Sequence, residues 1–393
     1  MRSAALQGHR RSSSRLSLVA AIVVVTAGVL PVFLMGALAV EVRSSLSIGP
    51  ARFGAAVAVF YVAAAVTSAP GGLLAERWGS TTVMRLSASL SLVSLAGIAV
   101  GASSFVGAAL GMLVAGFANG LGQPAANLLL TESVATGRRG TAFGIKQSAI
   151  PIATLLAGLA VPAVALTVGW RWAFGASCLV PLTGWALLRR RVAAVPGGGS
   201  PGGSQSRLAM RALVMLAVGG GLGSAAGNSL GTFLVMSTVA DGVHPGVAGL
   251  LSAAGSGAGL VSRLASGVLA DRRRGGHLLV VAVMLTVGSA GFLLLASGST
   301  ALLLPGALIA FAAGWGWNGL FNLAVVTSHP HAAGAATGVS QTGVLVGGAA
   351  GPLLFGLAVQ HGSFALAWSC TSAAVLLASL ALLRGRSLLA LAA

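Results

Sequence analysis

The chain has 393 residues, 56% of them hydrophobic and only 7% charged, with a mean hydropathy of +0.95. A water-soluble domain carries about 25% charged residues, so this composition excludes a soluble enzyme, a secreted disulfide scaffold and a disordered chain. At about 20 apolar residues per crossing, the length accommodates roughly a dozen membrane-spanning helices.

The amino terminus carries Arg2, Arg10, Arg11 and Arg15 ahead of the first apolar run. That run is too long for a signal peptide, and Glu41-Val42-Arg43 is no small-residue cleavage site, so it is read as the first helix. Twelve apolar segments follow in order, at roughly 17–40, 52–74, 81–101, 104–131, 140–166, 168–188, 208–237, 246–270, 277–297, 299–327, 332–359 and 363–384. The one long polar connection runs from Arg189 to Arg207 and contains a Pro, Gly and Ser-rich stretch, the composition of a flexible linker. The expected organisation is a tail (1–16), a six-helix bundle (17–188), the linker (189–207), a second six-helix bundle (208–384) and a second tail (385–393). Gly219, Gly220, Gly221 and Gly223 in the seventh segment are a candidate bending point.

Basic residues set the orientation. Arg43, Arg52 and Arg171 fall on one side, Arg263 lies within the eighth segment, and the rest of the 23 fall on the side of the termini. Cytoplasmic loops carry the Lys/Arg excess, so both termini are expected in the cytoplasm. The net charge of +18 is therefore a topology signal. The expected partners are a lipid bilayer and a small-molecule substrate, with no nucleic acid. Arg-for-Lys, Ala and Gly usage fits GC-rich codons and hence the plasma membrane of a bacterium. Cys178 and Cys370 lie in apolar segments and read as packing residues. His329, His331 and His361 lack a metal-like partner set, and no nucleotide-binding Gly-Lys-Ser motif is present. No cofactor or metal is expected, and no enzyme activity.

The two halves repeat. Gly72-Leu-Leu-Ala-Glu76-Arg77 returns 195 residues later as Gly267-Val-Leu-Ala-Asp271-Arg272. Gly144-Ile-Lys146-Gln147 and Phe117-Ala-Asn119-Gly120 return 194 residues later around Gln341 and Gly314. Two similarly oriented halves suggest a carrier that rocks one half against the other around a central site. With Gly79 completing the loop after the second segment, the chain resembles the major facilitator superfamily over nearly its whole length. The resemblance implies an all-α fold of twelve transmembrane helices in two pseudo-symmetric bundles, secondary active transport by alternating access, a monomer, and a proton as candidate coupling ion. It also makes Gly72, Glu76, Arg77, Gly79, Gly267, Asp271 and Arg272 a gating motif. Its glycines would admit a neighbouring helix, and its carboxylates would cap a helix amino end. This chain departs from the family pattern at Glu76 (usually Asp), at Thr81 and Thr82 (usually basic), at Gly275 (one position late) and at Met112, where an Arg tied to proton coupling is common.

Substrate chemistry is sought among embedded polar residues. All five acids, Glu41, Glu76, Glu132, Asp241 and Asp271, fall at segment ends or in loops, which argues against an exporter of cationic drugs. Lys146 lies about two turns inside its segment, roughly 9 Å, and Arg263 lies about as deep. Embedded charges are costly and usually face a cavity, although snorkelling toward headgroups is the bland alternative. A substrate anion would neutralise them, with Arg263 offering a bidentate fork. The placement of Arg263 is similar to that in the oxalate/formate and monocarboxylate branch of the family. That branch's helix 11 Lys is missing here, with Ser340 and Gln341 in the region. Asn119, Gln123 and Asn127 share one helix face, as do Asn318 with Asn322 and Asn228 with Thr232. Together with Gln147 and Gln341 these are candidate cavity groups, or else interhelical hydrogen bonders. Trp315 and Trp317 would narrow the cavity or simply pack.

The leading expectation is a carrier importing a small organic anion, with Lys146, Arg263, Gln123, Asn127, Gln147, Asn228, Asn318, Asn322 and Gln341 at the substrate. The rivals are an efflux carrier for neutral or amphipathic compounds and drugs, and a non-transporting membrane sensor.

Overall fold

A computed structural model describes residues 2–134, 139–188, 207–272, 275–328 and 333–392. Among the described residues there are helices and no strands, as a bilayer demands of a chain whose backbone must satisfy itself. Eleven helices are long and apolar enough to cross a membrane. In chain order the crossings are α1 (Leu16–Ala37), α2 (Pro50–Trp78), α3 (Ser80–Gly101), α4 (Phe105–Leu130) and α5 (Gly144–Val168). After the interrupted α6 come α7 (Met210–Ala240), α8 (Pro245–Ala270), α9 (His277–Ala296), α10 (Thr300–Ser328), α11 (Ala336–His361) and α12 (Phe364–Leu391).

The interrupted crossing α6 consists of Trp170–Ser177 and Leu179–Leu188. Its break has a local cause. Pro181 has no N–H to give the Ser177 carbonyl, and the Cys178 N–H turns to Gly175 O at 3.1 Å. With α6 counted, the twelve expected crossings are present. The helix of α1 extends back to Arg2 and that of α12 on to Ala392. Residues 189–206 of the expected linker, with His329 and His331, lie outside the described residues.

Glycine sets how closely helices pack within each half. A Cβ on Gly120 (α4) would lie 2.6 Å from Ala64 O (α2), and one on Gly71 (α2) 2.9 Å from Gly120 O. In the second half a Cβ on Gly221 (α7) would lie 2.8 Å from Gly343 O (α11), and one on Gly223 2.6 Å from the Trp317 ring. The candidate bending point in α7 is therefore a packing face, and the helix runs unbroken from Arg207 to Ala240.

Twelve crossings, an even number, bring the last helix back to the side on which the first begins, the terminal face. The two halves meet at the opposite, far face. There a Cβ on Gly36 (α1) would lie 2.7 Å from Thr232 Cα (α7), one on Gly356 (α11) 2.5 Å from Pro50 O, and one on Gly158 (α5) 2.7 Å from Gly249 O (α8). Phe53 and Phe233 add an edge-to-face contact at 5.9 Å. Toward the terminal face Gly144, Gly267, Gly319 and Gly338 have no atom within 4 Å of a Cβ position. The closest backbone approaches between the halves thus lie at the far face.

Candidate functional site

The centre of the molecule is built around backbone carbonyls that lack their usual helical partners. In α5, Pro151 cannot donate to Gln147 O, and the helix is interrupted at Gln147 and Ser148. In α10, a π-helical turn over Ala310–Gly314 passes into a non-helical turn at 315–317 before helix resumes at Asn318. Two carbonyls of this stretch are met by side chains. Trp317 Nε1 donates to Gly314 O at 2.9 Å, and Ser262 Oγ to Ala312 O at 2.6 Å. Helix breaks in membranes persist only where such partners exist.

Arg263 joins the two breaks. Its Nη1 donates to Gln147 O at 3.1 Å, in the first half, and its Nη2 to Trp315 O at 3.0 Å, in the second. The guanidinium also lies 5.9 Å from the centre of the Trp315 ring, within reach of cation–π attraction. The side chain is 9% exposed, so it does not snorkel, and its Nε has no hydrogen-bond partner. Beside it a cleft of about 10 Å³ is lined by Ile150, Pro151, Thr154, Gly259, Phe311 and Trp315, room for about one water.

Lys146 is also buried, at 3% exposure, and its Nζ donates to Asn127 Oδ1 at 2.8 Å. Neither base has a carboxylate partner among the described residues. The second half repeats this geometry with a neutral pair. Gln341 Nε2 donates to Asn322 Oδ1 at 2.6 Å, 195 positions after Lys146 and Asn127 and so one residue off the 194 offset that pairs Gln341 with Gln147.

The remaining polar candidates divide. On α4 exposure rises toward the terminal face, from buried Asn119 through half-buried Gln123 to exposed Asn127. Gln123 Nε2 reaches Asn119 Oδ1 only at 3.5 Å. Asn318 Nδ2 is likewise 3.5 Å from Trp315 O. Asn228 is buried and saturated, with its Nδ2 donating to Ser224 O at 2.8 Å and Oγ at 3.0 Å and its Oδ1 accepting from Tyr61. Tyr61 was not among the candidates, yet it bonds α2 to α7 across the two halves. As the only tyrosine in the chain, its buried hydroxyl needing a partner was the available signal. Ser148 was also missed, and its Oγ is buried without a partner.

At the gating motif the tight helix approach falls on Gly71. A Cβ on Gly72 would make an ordinary 3.8 Å contact with Pro124, and one on Gly267 would meet nothing within 4 Å. Gly79 turns the chain with φ +85°. Glu76 and Arg77 are exposed and have no hydrogen-bond or ion-pair partner among the described residues. The side chains of Asp271 and Arg272 lie outside the described residues. The carboxylate that engages this loop is Glu132, whose Oε2 accepts from Ser80 Oγ at 2.8 Å. Burial pushes the Glu132 carboxyl above its ordinary value, and the Ser80 bond pulls the other way. Met112 is fully buried.

The all-helical fold, with its row of apolar crossings, is that of a multi-pass membrane protein. The sequence profile of the Major Facilitator Superfamily matches residues 16–352, and the chain belongs to that family, a multi-pass membrane transporter and not an enzyme. Its fold is similar to that of the D-xylose–proton symporter, with TM-score 0.75 and 16% identity over 93% of this chain and 96% of that one. It is similar also to a bacterial homolog of the human lysosomal transporter Spinster, solved inward-facing and unoccupied, with TM-score 0.67 and 15% identity over 97% of each chain. No curated protein matches the sequence.

Proposed function

We propose that the chain imports a small organic anion by alternating access, with Arg263 and Lys146 as the charged groups and Asn127, Gln123, Gln147, Asn318, Asn322 and Gln341 as neutral partners. The observation that carries this reading is the state of Arg263. A buried guanidinium held by two carbonyls and no carboxylate has its charge unneutralised, and leaving such a charge unpaired is costly. A carboxylate entering from the terminal face would supply the missing charge and a bidentate partner. The apolar walls at Ile150, Phe311 and Trp315 favour an anion with an apolar portion. In this reading the terminal face is cytoplasmic, the arrangement described is the inward-open one, and the membrane is the bacterial plasma membrane. The gating motif would act when the terminal face closes, bringing Glu76 and Arg77 into contact. A proton is a candidate coupling ion, and every carboxylate that could carry it lies at a helix end or in a loop.

The test is uptake of labelled oxalate, lactate and benzoate by proteoliposomes. Arg263→Gln is expected to abolish saturable uptake and Lys146→Gln to weaken it. A charge-assisted hydrogen bond contributes about 1.5–3 kcal/mol, so each lost contact should lower affinity about tenfold or more. Full uptake by the double variant would overturn the reading and favour the neutral-compound carrier.

A further inference from the structure

A second cavity lies at the far face, away from Arg263. It has a volume of about 480 Å³ and is lined by Arg43, Ser44, Ser47, Met236, Val239 and Phe364 among others, a size typical of small-molecule sites. Arg43, Ser44 and Ser47 come from the short helix Ala39–Leu46 and its end, in the first half. Met236 and Val239 come from α7 and Phe364 from α12, in the second. The cavity therefore spans the seam between the halves.

Arg43 is half-buried and poorly partnered. Its Nε donates to Ile48 O at 3.1 Å, and its Nη1 points at the Met236 sulfur at 3.0 Å. A thioether is a weak acceptor, and Nη2 has no partner among the described residues. Glu41 does not neutralise it. A separation of two residues turns the two side chains to different faces of the helix, and the Glu41 Oε2 is itself buried without a partner. Asp241, at the end of α7, faces the turn at Gly298 instead. Ser44 and Ser47 are exposed and their hydroxyls have no partners among the described residues. A cation with an open donor, two free hydroxyls and apolar walls match one ligand chemistry, an anionic headgroup on an apolar tail.

We propose that this far-face cavity binds an amphipathic anion, its charged group on Arg43 and Ser44 or Ser47 and its tail against Met236, Val239 and Phe364. Because the walls belong to both halves, the ligand binds the far-face-closed arrangement and stabilises it over the other. Its occupant is a free carboxylate with an alkyl tail or the headgroup of an anionic lipid. Binding here is independent of the reading of Arg263.

The test uses the full chain in phosphatidylcholine nanodiscs, with Cys178→Ser and Cys370→Ser and a single reporter, Ala240→Cys, on the cavity wall. The readout is the rate of maleimide alkylation. Hexanoate is expected to slow it and hexanol to leave it unchanged. Arg43→Gln should weaken hexanoate protection about tenfold, the loss of one charge-assisted contact, and Arg43→Lys should retain part of it, which guards against a folding defect. In nanodiscs containing phosphatidylglycerol, protection without hexanoate that Arg43→Gln removes would identify the lipid headgroup as occupant. Equal protection by hexanol, no protection by either anion source, or protection that survives Arg43→Gln would overturn the proposal. The measurement involves no transport, so its failure would leave the role of Arg263 standing.

Discussion

Gly158→Ala should prise the far face apart. Gly158 on α5 meets α8 so closely that a Cβ there would lie 2.7 Å from Gly249 O and 2.8 Å from Ala253 N. Both neighbours are backbone, so no side chain can rotate away. Ordinary contact begins near 3.4 Å, so the helices must separate by about 0.7 Å. Overpacking of this kind costs about 1–3 kcal/mol. The gain in helix propensity, about 0.5–1 kcal/mol, applies to both arrangements and cancels in their ratio. The far-face-closed population should therefore fall by a factor of about 5–150. Spin labels at Ser45 and Ala240, one on each half at the far face, would report this as a longer distance distribution, with Cys178 and Cys370 replaced. Gly36→Ala should act in the same direction, and Gly97→Ala, with nothing within 4 Å of its Cβ, should leave the distances unchanged. An unaltered distribution in Gly158→Ala would refute the claim that backbone contact sets this closure.

Gly79→Ala should lower the melting temperature with little effect on packing, because its Cβ meets nothing but its φ of +85° with ψ 143° is nearly confined to glycine; the backbone cost is about 1–3 kcal/mol. A melting temperature equal to that of the parent would show that the turn relaxes freely. Burial pushes the Glu41 carboxyl above its ordinary 4.5, so the folded chain binds more protons there than the unfolded one as pH rises past that value. Stability from this group is then lost as pH climbs from 4.5 through the raised value. Glu41→Gln should remove that loss, and its melting temperature relative to the parent should be higher at neutral pH than in acid. A difference constant across pH would contradict the assignment.

The crossings and the repeat were legible in the sequence because hydropathy and glycine spacing are local properties. The depth of Lys146 and Arg263, and the absence of a mid-membrane acid beside them, could likewise be read from position alone. What escaped the sequence was register. Whether Gly71 or Gly72 faces α4 depends on a helix rotation that the Gly-Gly pair leaves open. The partners of Arg263 are main-chain oxygens, exposed by Pro151 and by the slipped ladder at Ala310–Gly314, and a search among side chains has no means of finding them. Tyr61 and Asn228 lie 167 residues apart, and only the closed packing of the two halves brings them together.

The smooth helix crossings at Gly36, Gly158 and Gly356 bear on how fast the protein works. Carbonyl against glycine leaves no interlocked rotamers to unthread and no ion pair to break when those three crossings part. What must part there is the Phe53–Phe233 contact and the Tyr61–Asn228 hydrogen bond, and collective helix motions of this kind fall in the microsecond-to-millisecond range. At the core the guanidinium holds one carbonyl of each half, so any rocking of the halves must loosen one of those two bonds.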